Sequence, residues 1–228
     1  MTVSMQNPGP RHFHEQLAEL KRKLLEMSGN AERLVELSID ALLEGDRAMA
    51  EEVIAGDKAL NTLEIEVEQL AVSLLALQQP MARDLRFLVA TIKASSDLER
   101  VGDHAVNIAE SAIRIADHGG KVAATPELED MARRARQMLS NALDAFTRND
   151  GALGREVCKA DDAVDSLHES VFRILLTHMM EDARTIGNSL EMLLVSRNLE
   201  RVADLATNIA EDAVYVAEGR QIKHHFED

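Results

Sequence analysis

Apolar residues return along this chain at helical spacing, and the breaks between runs mark where each helix must stop. From Pro10 onward Leu17, Leu20, Leu24, Leu34, Val35 and Leu42 recur in a pattern that lines one helix face. Gly45 closes that run and predicts a first helix over about 11–44. Leu60, Leu63, Val67, Leu70 and Leu74 predict a second over about 46–78, punctuated by Pro80. Leu85, Leu88, Ile92, Leu98 and Ile108 predict a third, stopping near the Gly119-Gly120 pair. The pattern then restarts. Thr125 before Pro126, with Glu127 and Glu129 in the first turn, is a helix start by capping, preset φ and dipole alike. That fourth helix runs to about Arg148, where Asn149-Asp150-Gly151 signals a turn. A fifth over about 152–180 and a sixth over about 185–218 complete the chain. No segment alternates convincingly with period two, so strands are not expected.

The third and sixth helices carry nearly the same text. Residues 97–112 read DLERVGDHAVNIAESA and 198–213 read NLERVADLATNIAEDA, identical at eleven of sixteen positions. The middle helices match more loosely, AGDKALNTLEIEV at 55–67 against KADDAVDSLHESV at 159–171. With short loops making neighbours antiparallel, the expected fold is all-α. It is a tandem repeat of two three-helix bundles, residues 11–120 and 121–218, each running up-down-up, rather than one six-helix core.

A packing repeat preserves its buried positions and lets its polar face drift. This one preserves both. With Glu99 at zero on a helical wheel, Asp103, Asn107 and Glu110 fall within about 80° of it, opposite Val101, Ala105, Ile108 and Ala112. Glu200, Asp204, Asn208 and Glu211 repeat the arrangement in the sixth helix. The second helix adds a polar line of Asp57, Asn61, Glu64 and Glu68; the fifth adds Asp161, Asp165, His168 and then Phe172. Second and third helices are neighbours in a three-helix bundle, so the lines of each half converge on one outward strip.

Acids four residues apart are ordinarily solvated or paired with a base, and unpaired they destabilise a helix mildly. Keeping that cost in both copies calls for a compensating charge, from Arg100 and Arg201 reaching across or from a bound cation. Carboxylates with amide oxygens form a hard donor set, suited to Mg, Mn, Ca or iron. His168 tilts the second half towards a transition metal, and Asp162 and Asp212 lie beside the lines as supporting contacts. The candidate metal ligands are Asp57, Asn61, Glu99, Asp103 and Asn107 in the first half, with Asp161, Asp165, Glu200, Asp204 and Asn208 in the second.

Composition narrows the remaining choices. Of 228 residues, 40 are acidic and 25 basic, a formal net charge of −15. That argues against nucleic acid, which is bound by clustered cations, and suits metal cations or a cationic partner. The single cysteine, Cys158, reads as a small packed residue rather than a nucleophile. The start, MTVSMQNPGPR, lacks the apolar run of a signal peptide, and no stretch has the roughly 18 apolar residues of a membrane span. The expectation is a soluble protein. The cluster Met179-Met180, Met192 and Leu193-Leu194-Val195 exceeds one apolar stripe; core packing and self-association account for it about equally.

These motifs resemble the PhoU family, an accessory and regulatory family of bacterial phosphate uptake. Its signature is similar to L-E-R-I/V-G-D-H-A-x-N-I-A-E; here it stands as LERVGDHAVNIAE at 98–110 and LERVADLATNIAE at 199–211, the second departing at Ala203 and Leu205. The family's Asp-x-x-x-Asn/Asp motif matches Asp57/Asn61 and Asp161/Asp165, and RHFHEQLAELKRKLLEM resembles its first helix. The resemblance spans about 11–218. It implies a non-enzymatic, cytoplasmic negative regulator of the phosphate-starvation response, linking the ATPase subunit of the phosphate ABC transporter to a sensor histidine kinase. It also implies a homodimer, at most peripheral to the membrane. A multinuclear metal cluster is implied at the acidic motifs, iron foremost, with zinc, manganese, magnesium and nickel as the other candidates. Two rivals remain from other classes: a ferritin-like di-iron carboxylate enzyme, which would turn its acids inward, and a purely structural scaffold, in which they only solubilise.

Overall fold

The computed structural model describes residues 10–78, 80–118 and 124–222. They form six long helices: α1 (Pro10–Glu44), α2 (Arg47–Gln78), α3 (Ala82–Asp117), α4 (Pro126–Arg148), α5 (Gly151–Glu181) and α6 (Ile186–Glu218), with a 3-10 turn at Ala183–Thr185 before α6. Among the described residues there are no strands. The boundary expected at 120/121, with its Gly119-Gly120 pair, lies outside the described residues.

The ends are set by local chemistry. Gly45 and Gly219 take the left-handed conformation, at φ 70° and 76°, that closes α1 and α6. Asp46 Oδ1 then accepts from the amides of Ala48 and Met49, restarting the chain as α2. Thr125 Oγ1 accepts from the Leu128 amide ahead of Pro126. Asn149, left-handed at φ 54°, ends α4, and Asp150 caps α5 through the Leu153 amide.

Helices α1–α3 and α4–α6 are two three-helix bundles, as the periodicity predicts. Leu20, Leu34, Leu60, Leu74, Leu98 and Ile108 fill the first, each under 2 % exposed. A Leu or Ile buried so completely contributes about 1.5–3 kcal/mol. The expected separation of two cores is corrected, however. α3 packs along α6 as extensively as along α2, and the buried side chains of both halves form one continuous apolar core.

The two central helices run antiparallel. Lys93 Nζ reaches Asp212 Oδ1 at 3.0 Å near one end of the seam, and Arg114 Nε reaches Glu191 Oε1 at 3.0 Å near the other. That register puts Gly102 opposite Ala203, the same position in the two copies. The tips of the α2–α3 and α5–α6 hairpins therefore lie at opposite ends of the molecule. No helix among the described residues is long and apolar enough to cross a membrane.

Candidate functional site

The first acidic line is assembled by a missing side chain. A Cβ on Gly102 would lie 2.4 Å from Leu60 Cδ2 and 3.0 Å from Asp57 Oδ1, so glycine lets α2 approach α3 closely enough to bring Asp57 to Asp103. Asp57 Oδ2 accepts from Asn61 Nδ2 at 2.8 Å, whereas Asp57 Oδ1 and Asn61 Oδ1 are buried without a partner. Burial, then the charge of Asp103, raises the Asp57 carboxyl above its ordinary pKa, and the Asn61 amide works against them. Glu99 is raised by burial and by Asp103, Glu64 and Asp57, with Arg100 offsetting part. Glu64 is raised by burial, Glu68 and Asp103. Among the described residues no Lys or Arg forms an ion pair with Asp57, Glu64, Glu99 or Asp103; Arg100 turns to Asp97 at 3.5 Å.

The second groove repeats this with two changes. Asp161 is pushed up to about 6 by burial and by Asp165, Asp204 and Asp162, with the Thr207 hydroxyl opposing; its Oδ1 is buried and unpartnered. Asp165 is raised by burial, Asp204, Glu200 and Asp162, and lowered by His168. His168 stands where the first half has Glu64, its Nδ1 3.1 Å from Ser196 Oγ, whose own proton goes to Leu193 O. Arg201 clips Asp204 at 2.8 Å, so this groove carries an internal cation that the first lacks. The lines of α2 with α3 and of α5 with α6 thus do converge.

Asp57, Asn61, Glu99, Asp161, Glu200 and Asp204 are half-buried in grooves between helices rather than fully turned to water, whereas Asp103 and Asp165 are exposed. Asn107 and Asn208 are placed elsewhere. Asn107 Nδ2 donates to Asn198 Oδ1 at 3.3 Å, beside His104 Nδ1 at 2.9 Å from the same oxygen. Asn208 faces Lys93, Arg100 and Tyr215 in a cavity of about 370 Å³. Both asparagines belong to the α3–α6 seam. Asp212 does too, held by Lys93. Sequence reasoning missed Asn198, Ser196 and Thr207, and only the registers of α3 on α6 and α5 on α6 would have found them. Cys158 is buried and its thiol is raised to about 12 by burial and by Glu211 and Asp161, which rules out a reactive thiolate.

Among the described residues no three Asp, Glu, His or Cys side chains close on a single point. What each groove offers is uncompensated negative charge and open oxygen lone pairs. The cost shows in pH dependence. Asp161 binds its proton more tightly folded than unfolded, so its favourable contribution is complete below the ordinary value of 3.8 and is lost as pH rises to about 6. Water reaching the groove screens the cost at neutral pH to about 1 kcal/mol. In chelator-treated protein, Asp161→Asn should raise stability by about that amount at neutral pH and by almost nothing at pH 3.8, read from urea midpoints. Equal gains at both pH values would refute the charge origin.

The chain matches the family model described as PhoU domain twice, over residues 24–112 and 128–213. A Caulobacter vibrioides protein described as a phosphate-specific transport system accessory protein PhoU homolog is 40 % identical over 93 % of this chain and 92 % of its own length. The crystal structure of PhoU from Pseudomonas aeruginosa superposes with a TM-score of 0.88 at 35 % identity, covering 91 % of this chain and all of that one. That of the phosphate transport system regulatory protein PhoU from Streptococcus pneumoniae reaches 0.83 at 29 % identity, covering 92 % and 98 %.

Proposed function

The chain belongs to the PhoU family, and from that premise we propose that it is a non-enzymatic accessory regulator of phosphate uptake. It acts in the cytoplasm as a repressing adaptor between the ATPase subunit of a phosphate transporter and a sensor histidine kinase, with cations held at its acidic grooves. One observation carries the reading beyond family membership. Two grooves keep mutually repelling carboxylates together, with buried oxygens left open, once in each copy.

The hard oxygen donors fit a divalent or ferrous cation chemically. Asp57, Asn61, Glu99 and Asp103 would hold it in the first groove, and Asp161, Asp165, Glu200 and Asp204 in the second. A bound cation would neutralise the acids and lock α2 against α3, and α5 against α6. Regulation then follows from differential affinity: the adaptor favours whichever kinase state it binds better.

The ferritin-like alternative gains nothing from the geometry. Among the described residues the one buried carboxylate is Asp212, already held by Lys93, and the bundle interiors are lined mainly by apolar side chains. Deleting the gene should leave phosphate-starvation genes expressed in phosphate-rich medium. Repression that persists in the deletion strain would overturn the regulatory reading.

A further inference from the structure

Beyond the second acidic groove, the α5–α6 hairpin exposes large apolar side chains that no core requires. Phe172, Leu176 and Met180 recur every fourth residue on α5, and Ile186, Leu190 and Leu194 do so on α6, from 40 % to 82 % exposed. His168 beside Ser196 fixes the register, and it sets the two rows level to within a residue or two. Each row advances about 6 Å per step, the spacing of anchor residues along one face of a partner helix. A notch of about 280 Å³ lined by His168, Glu169, Phe172 and Arg173 closes the strip at its inner end. It has room for one large side chain.

The internal repeat supplies a comparison within the same molecule. The six positions read Glu68, Val72 and Ala76 with Leu85, Val89 and Lys93 in the first copy. Three of them are charged or small there, although Leu77 and Met81 are exposed nearer that turn. Two further exposed positions change from Gln69 and Ser96 to Arg173 and Arg197. Neither arginine forms an ion pair among the described residues. The second tip therefore carries a continuous apolar strip and two free cations at its rim, on a chain whose net charge is −15.

Apolar strips on soluble surfaces mark interaction sites, and the charge selects the partner. An anionic membrane is repelled by the acidic body. A short helix whose apolar stripe is flanked by Asp or Glu meets the ladder with its stripe and the arginines with its flanks. We propose that the exposed α5–α6 face docks an acidic amphipathic helix supplied by another protein. This goes beyond the regulatory reading and stands on the hairpin alone, so an unchanged gene-deletion phenotype would leave it intact.

The probe is a designed, fluorescently labelled helical peptide of about five turns, with leucines on one face and glutamates flanking them, titrated against the full chain by anisotropy. Binding should weaken about tenfold in Leu190→Ser and again in Arg173→Glu/Arg197→Glu, a loss of about 1.4 kcal/mol each. Val89→Ser, the matching exposed position of the first copy, should bind as the parent does. A lysine-flanked peptide should bind the charge-reversed variant better than the parent. All these positions are exposed, and each variant should give the helical circular dichroism of the parent. No binding of the glutamate-flanked peptide, or binding indifferent to these substitutions, overturns the proposal. So does pelleting of the parent, but not Leu190→Ser, with vesicles of phosphatidylcholine and phosphatidylglycerol in equal parts. Light scattering that shows a dimer dissolved by Leu190→Ser would overturn it too, by giving the face to a second copy of this chain.

Discussion

Gly154→Val is expected to cost about 3 kcal/mol of folding stability, whereas Gly29→Ala is expected to add up to about 1 kcal/mol. Both glycines sit inside helices, where glycine is ordinarily the weaker choice. The difference lies in what a new side chain would touch. A Cβ at Gly154 would stand 2.8 Å from the Ala210 carbonyl oxygen and 2.9 Å from Val214 Cγ2. The first of these is backbone of α6, which is clamped between α5, α4 and α3 and cannot withdraw. Forcing it apart also separates Asp161 and Asp165 from Glu200 and Asp204, so Asp161 should titrate closer to the ordinary 3.8 in any folded fraction. Gly29 on α1 has nothing within 4 Å. Urea unfolding of both variants decides the matter. A Gly154→Val midpoint equal to that of the parent would mean that α5 does not seat on α6 as described.

Cation loading is expected to have an effect of similar size. Ligand that binds only the folded state adds about 2.7 kcal/mol when present at a hundred times its dissociation constant. Chelator-stripped protein titrated with Mn²⁺ or, anaerobically, with Fe²⁺ should melt at a clearly higher temperature. Glu99→Ala/Asp103→Ala should roughly halve the metal bound, measured by elemental analysis. Adding Glu200→Ala/Asp204→Ala should abolish it. The grooves should differ. Arg201 competes for Asp204 in the second, and Asp161 takes up a proton below about pH 6, so binding there should fall first on acidification. Protein that neither binds cations nor gains stability would reduce both grooves to solvated surface.

Helix existence, order and length were legible because the core positions follow the 3.6-residue period and most breaks carry a Gly, Pro or Asn. The acidic lines were legible for the same reason, since residues spaced by four and seven share a face wherever that face points. What a wheel drawn for one bundle cannot contain is the other bundle. Asn107 and Asn208 lie within the polar sector of α3 and α6, and that sector is split. One side looks into the groove with α2 or α5. The other looks across the seam, where Asn107 meets Asn198. Counting the whole sector as water-facing put the asparagines with the acids. The merging of the two cores was hidden likewise, because Ala and Val on a third face read as ordinary helix formers until another helix lies against them. Gly102 shows the limit from the opposite side: the sequence marks it as a difference from Ala203 but does not reveal what its absent Cβ would strike.

The antiparallel crossing of α3 and α6 has an implication for descent. Equivalent residues meet at its centre, with Gly102 opposite Ala203, which is how two copies of a single bundle would pair face to face about a twofold axis. Joining such partners in one polypeptide turns a self-associating pair into one chain with two non-identical ends. Selection can then act on each end alone, and here one end carries a histidine, an arginine clip and an apolar ladder that its twin lacks.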